Sequence, residues 1–203
     1  MAEENIKWRF NPPAAPHFGG LWEAGIKSVK THLTRVIGAQ ILTYEELNTI
    51  LIQIEALLNS RPMYDISTDP NDLTALSPGH FLTMASLSAI PDYDLTTLNM
   101  NRLDRWQLLI RMHQDFWRRW HHEYLHHLMQ RSKWTTDTSL IKNGSLVVIK
   151  DENQPPLKWP LGRIISTHPG PDKIVRVVTV KTSKGTISRP VTKVCPLPSQ
   201  IDI

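Results

Sequence analysis

The chain has 203 residues, 40% of them hydrophobic and 21% charged, with one cysteine and a net charge of +4. This is the composition of a globular protein with a core of its own, and no stretch approaches the 18 apolar residues of a membrane span. Met1-Ala-Glu-Glu-Asn5 lacks the basic and apolar segments of a secretory signal. A lone Cys195 excludes an internal disulfide framework, so a nuclear or cytoplasmic location is expected. The net charge hides an asymmetry. Residues 1–101 carry six Lys/Arg against eleven Asp/Glu, residues 102–134 seven against three, and residues 138–203 ten against four. A basic second half points to a surface that faces a polyanion, or more blandly to a solvated basic face.

Ile6–Phe10 alternates apolar and polar residues and reads as a short strand, stopped by Asn11-Pro-Pro13. From Leu21 to about Ile37, the spacing of Ile26, Val29, Leu33, Val36 and Ile37 predicts a helix that Gly38 ends. Thr43-Tyr-Glu-Glu46 has the form of a capping box, and the stripe Leu47, Ile50, Leu51, Ile54, Leu57 and Leu58 predicts a buried helix that stops at Arg61-Pro62. Residues 62–100 are turn-rich, with at most a short helix around Leu76–Leu82.

A long helix is expected from about Asn101 to Met129 or slightly beyond. Leu103, Trp106, Leu109, Ile110, His113, Trp117, Trp120, Tyr124 and Leu128 mark its apolar side, and Arg102, Arg105, Arg111, Arg118 and Arg119 its polar side. Its length suits a connector between domains. Beyond Trp134 the pattern changes to five short β-rich runs: Leu146–Ile149, Trp159–Ile165, Ile174–Val180, Thr186–Arg189 and Val191–Cys195. Turn residues separate them, which describes a small closed or half-closed β-barrel. The fold class expected is α+β, with no internal repeat.

Three constellations bear on chemistry. Glu23 follows Gly19-Gly20 at a helix start, where the macrodipole favours an ionised carboxylate able to ligate Mg²⁺. Lys27 and Lys30 share its helix face, although an ordinary Glu23–Lys27 pair explains the spacing equally well. His122-Glu-Tyr-Leu-His126 matches H-E-x-x-H, the helical zinc motif of metallopeptidases, but no further ligand is evident in the sequence. In the barrel, Lys158, Arg163, Arg176, Lys181, Lys184, Arg189 and Lys193, with the aromatic Trp159, are candidate contacts to a nucleic-acid backbone. A protein-interaction barrel would carry the same composition. Cys195 sits in a strand-like run without a paired base and reads as core.

Pro13-Ala-Ala-Pro-His-Phe-Gly-Gly-Leu-Trp-Glu23 resembles the passage around the third acidic residue of the integrases of Pao/BEL-type LTR retrotransposons. The resemblance continues through Leu57–Pro62, Leu76–Leu82, Trp117–Trp120, Glu123–Leu125, Arg131–Trp134, Gly144–Ile149, Trp159–Ile164 and Arg189-Pro190. Ser145 stands where that family's pattern has an Asp. The resemblance implies a truncated ribonuclease-H-like core remnant over residues 1–100, a connecting helix over 101–136 and an SH3-like β-barrel over 138–200. It further implies a parent enzyme that uses two Asp and one Glu to hold two Mg²⁺ (or Mn²⁺) ions for DNA integration, working on element ends and target DNA as a homo-oligomer. Only Glu23 matches a position of that triad; the two Asp are expected ahead of Met1. The expectation is nucleic-acid binding without strand transfer by this chain alone, the alternative being a host-expressed protein-interaction module.

Overall fold

The computed structural model describes residues 10, 12, 20–67, 69–90, 92–129, 141–151 and 153–199. The strand expected over Ile6–Phe10 falls outside them except for its last residue. The expected helices form with nearly the expected ends. α1 spans Gly20–Ile37, and Gly38 leaves it at φ 57°, a left-handed conformation that glycine adopts without strain. α2 spans Tyr44–Asn59, with Thr43 as its cap: Glu46 N–H donates to Thr43 Oγ1 (3.3 Å) and Thr43 N–H to Glu46 Oε2 (2.8 Å). Short strands β1 (Tyr64–Asp65) and β2 (Ala75–Leu76) pair antiparallel ahead of α3, Pro78–Thr83.

α4, Arg105–Leu128, starts at a second capping box built from Asp104 and Gln107. Its Arg105 reaches back to Glu46, tying the starts of α2 and α4 together. The helix is not an exposed connector. It buries Leu108, Leu109, Ile110, Met112, Phe116, Trp117, Trp120 and Leu125, side chains spread over most of its circumference. One side packs on Val36 of α1 and on Ile50, Ile54 and Leu57 of α2. Leu125 packs against Ala75, Leu146, Val148, Cys195 and Leu197. The core therefore crosses the boundary expected near residue 100.

The expected β-runs become one five-stranded antiparallel sheet: β3 Leu146–Ile149, β4 Leu161–Pro169, β5 Val175–Thr182, β6 Gly185–Pro190 and β7 Val194–Pro196, in the order β6-β5-β4-β3-β7. A 3-10 turn, Val191–Lys193, leads into β7. Alternation along β3 divides its side chains between two cores. Val147 and Ile149 join Ile164, Val178, Val180 and Val194, whereas Leu146 and Val148 face Leu125 of α4. β3 is thus buried on both faces, which is why it reads as an unbroken apolar run. At Gly162 of β4 a Cβ would stand 2.4 Å from Val180 Cγ1, so only glycine permits this strand spacing.

Two residues of the Trp159–Ile164 run fasten the sheet to the helices and to the β1–β2 segment. Trp159 Nε1 donates to Ser60 Oγ (3.0 Å), and its ring lies 4.9 Å from Trp117, 4.9 Å from His121 and 5.5 Å from Tyr124. Arg163, 3% exposed, donates to both Asp65 oxygens (2.9 and 3.2 Å) and to the carbonyls of Gly144, Ser67 and Asp72. Removing the carboxylate strands a buried guanidinium. Asp65→Ala is expected to cost about 3–5 kcal/mol in urea denaturation; a loss below about 1 kcal/mol would show that the carbonyls alone hold Arg163.

Candidate nucleic-acid interface

Glu23, Lys27 and Lys30 lie exposed on α1, on the side turned from α4. α1 meets α4 instead through Ser28, His32 and the apolar residues beside them. No ion pair joins Glu23 to Lys27, and among the described residues no group of three or more His, Cys, Asp or Glu side chains is placed to hold a metal ion. Glu23 by itself does not make the two-metal site of the resemblance.

The H-E-x-x-H segment has a structural use. Glu123 Oε1 accepts from Ser28 Oγ (2.8 Å) and Oε2 lies 2.6 Å from His32 Nε2, so its carboxylate joins α4 to α1 rather than waiting for a water. His122 and His126 are exposed one turn apart, and the described residues supply no third ligand to them.

Two of the expected barrel contacts are corrected by burial. Trp159 is partly buried with its ring packed against the aromatic side chains of α4, and Arg163 is 3% exposed and paired with Asp65, so neither is presented to solvent as a strand-surface contact would be. The others are exposed but differently engaged. Arg176 is paired with Asp172 (2.6 Å), and Lys181 Nζ donates to Asn71 Oδ1 (2.6 Å). Lys184 occupies the β5–β6 turn and Lys158 the segment before β4. Arg189 and Lys193 lie by the segment that follows β3: the Lys193 carbonyl accepts from Lys150 N–H (2.8 Å), and the Arg189 charge helps hold the Asp151 carboxyl below its ordinary range.

Other basic groups surround a cleft of about 700 Å³ between α4, α1 and the end of β3. Arg111, Arg118, Arg119 and Lys150 line it, against only two carboxylates, Asp115 and Glu123. Both carboxylates are occupied. Asp115 sits between Arg111 (2.7 Å) and Arg118 (2.6 Å), and Glu123 is held by Ser28 and His32. Arg119 and Lys150 have no carboxylate partner among the described residues. The cleft is therefore a cationic surface with spare donors, the chemistry that takes phosphate oxygens. Sequence reasoning put Arg118 and Arg119 on a helix face without making them contacts, and it did not single out Lys150. The surplus of positive charge over residues 102–134 was the available signal.

Burial of the Glu123 carboxyl works to raise its pKa, but the hydrogen bonds from Ser28 and His32, helped by the charges of His32 and His127, outweigh it and the net shift is downward. A carboxyl whose folded pKa is depressed stabilises the fold above its unfolded pKa and loses that contribution as pH falls through the folded one. Glu123→Gln is expected to cost about 1 kcal/mol near neutrality, a low figure because the carboxylate is over a third exposed. Unfolding curves should show that difference shrinking below about pH 4; a difference independent of pH would contradict the assignment.

Residues 104–197 match a family described as a family of unknown function (DUF5641), a span that takes in α4 and the whole sheet. No curated protein and no solved structure matches the chain.

Proposed function

We propose that this chain is the C-terminal part of an integrase-like protein of Pao/BEL-type retrotransposons, and that its own contribution is to bind duplex DNA along the α4 cleft. The observation that carries the proposal is the cleft's charge: four Arg/Lys side chains face two carboxylates, both already hydrogen-bonded inside the protein. Contacts of this kind neutralise phosphates and read little sequence. The strand order supports reading the sheet as an SH3-like barrel, since a 3-10 turn precedes a last strand that pairs with the first. In the same reading α1 to α3 are the closing helices of a ribonuclease-H-like core, with Glu23 the position of its third acidic residue. Mg²⁺ chemistry and multimer formation belong to the parent enzyme, and this chain by itself binds DNA without strand transfer.

A protein-interaction module is the second reading. It is favoured by exposed apolar side chains on and after α3, Phe81, Leu82 and Met84. Salt dependence separates the two. Duplex affinity is expected to fall linearly on a log–log plot against salt, and Arg118→Ala/Arg119→Ala to lower that slope by about two and the affinity roughly tenfold or more, with its melting temperature as the check on folding. Binding indifferent to salt, or no binding of duplex at low salt, would favour the protein-contact reading.

A further inference from the structure

At the mouth of the cleft, Nζ of Lys150 stands 3.5 Å from Nε2 of the exposed His122. The two residues come from different elements, the end of β3 and the middle of α4, so the docking of the sheet sets their distance. Arg118 lies one helical turn before His122 and Arg119 three residues before it, which places both guanidinium groups along the same side of the helix.

The described acidic groups around this pair are already committed. Asp115 is shared by Arg111 and Arg118, and Glu123 is held by Ser28 and His32. Asp151, next in the chain after Lys150, accepts from Asn153 N–H (3.0 Å) and Gln154 Nε2 (2.6 Å), with Arg189 and His121 close enough to act on its charge. His126 is exposed one turn farther along α4. Among the described residues, what faces solvent at Lys150 and His122 is donor capacity without a carboxylate partner.

Building on the DNA-binding reading, we infer that His122 and Lys150 form a subsite for one phosphate group, supplied by a nucleic-acid backbone or by free phosphate. Beside an ammonium, neutral His122 presents Nε2 as an acceptor; to face a phosphate oxygen as a charged donor, the ring has to be protonated. The phosphate then replaces the mutual repulsion of two cations by two charge-assisted hydrogen bonds. Binding takes up a proton wherever the ring is neutral in the free chain, so affinity rises as the pH falls.

The test is fluorescence anisotropy of the full chain with a short labelled duplex between pH 8 and pH 6 at fixed salt. Lys150→Ala is expected to weaken binding about tenfold across the range. His122→Ala is expected to match the wild type at pH 8, to fall about tenfold behind it at pH 6 and to lose most of the pH dependence, whereas His126→Ala keeps the wild-type profile. Competition by inorganic phosphate that disappears in His122→Ala assigns the subsite to any phosphate; no competition assigns it to the backbone alone. Duplex binding with a wild-type pH profile in His122→Ala, or with wild-type affinity in Lys150→Ala, would overturn the subsite and leave the DNA-binding reading standing. Absence of duplex binding at every pH and low salt would remove both.

Discussion

Arg163 is a charged side chain on a strand of the sheet, and the fold has closed over it. Removing a guanidinium from water costs several kcal/mol, which only a matched set of acceptors offsets. Here Asp65 supplies both carboxylate oxygens and three carbonyls take further bonds. Those acceptors come from the segment between α2 and α3 and from the start of β3, so satisfying one arginine fixes the β1–β2 segment on the sheet. Trp159, four residues earlier, does the complementary apolar work against Trp117, Trp120 and Tyr124, with Ser60 taking its N–H.

The cleft follows from that docking. Lys150 and Asp151 leave β3 beside α4 because Leu146 and Val148 of the same strand are packed on Leu125. On the opposite flank Glu123 fastens α1 through Ser28 and His32, which brings His32 into the cleft wall. A cationic concavity thus forms where three elements meet, each held there by packing or hydrogen bonds inside the protein. The matched family span runs from the start of α4 to the end of the sheet and so takes in Arg111, Arg118, Arg119 and Lys150 but not α1 and α2.

Local signals were legible in the sequence wherever they were local in physics. The Thr43/Glu46 box, the Gly38 stop and the first four β-runs depend on neighbours within a few residues and form close to where they are expected, whereas Val191–Lys193 of the fifth run makes a 3-10 turn and only Val194–Pro196 is strand. The role of α4 was only half legible. One stripe, from Leu109 through Trp117 and Trp120 to Tyr124, was evident, but Leu108, Met112, Phe116 and Leu125 fill the rest of the circumference, and a helix buried that widely is a core element. Arg163 and Trp159 were misplaced for a related reason. A basic or aromatic residue in a strand shows its face, by alternation, but not what lies over that face, and here residues about 100 positions away cover it. Lys150 was overlooked because its neighbour His122 is 28 positions distant.

An NMR titration of the ¹⁵N-labelled chain with a short duplex tests the account most directly. It predicts shift changes centred on Arg118, Arg119, His122 and Lys150, extending to Arg189 and leaving the indole N–H of Trp159 unmoved. Changes confined to the β5–β6 turn around Lys184, or to the α1 face bearing Lys27 and Lys30, would place the DNA on another surface and contradict it.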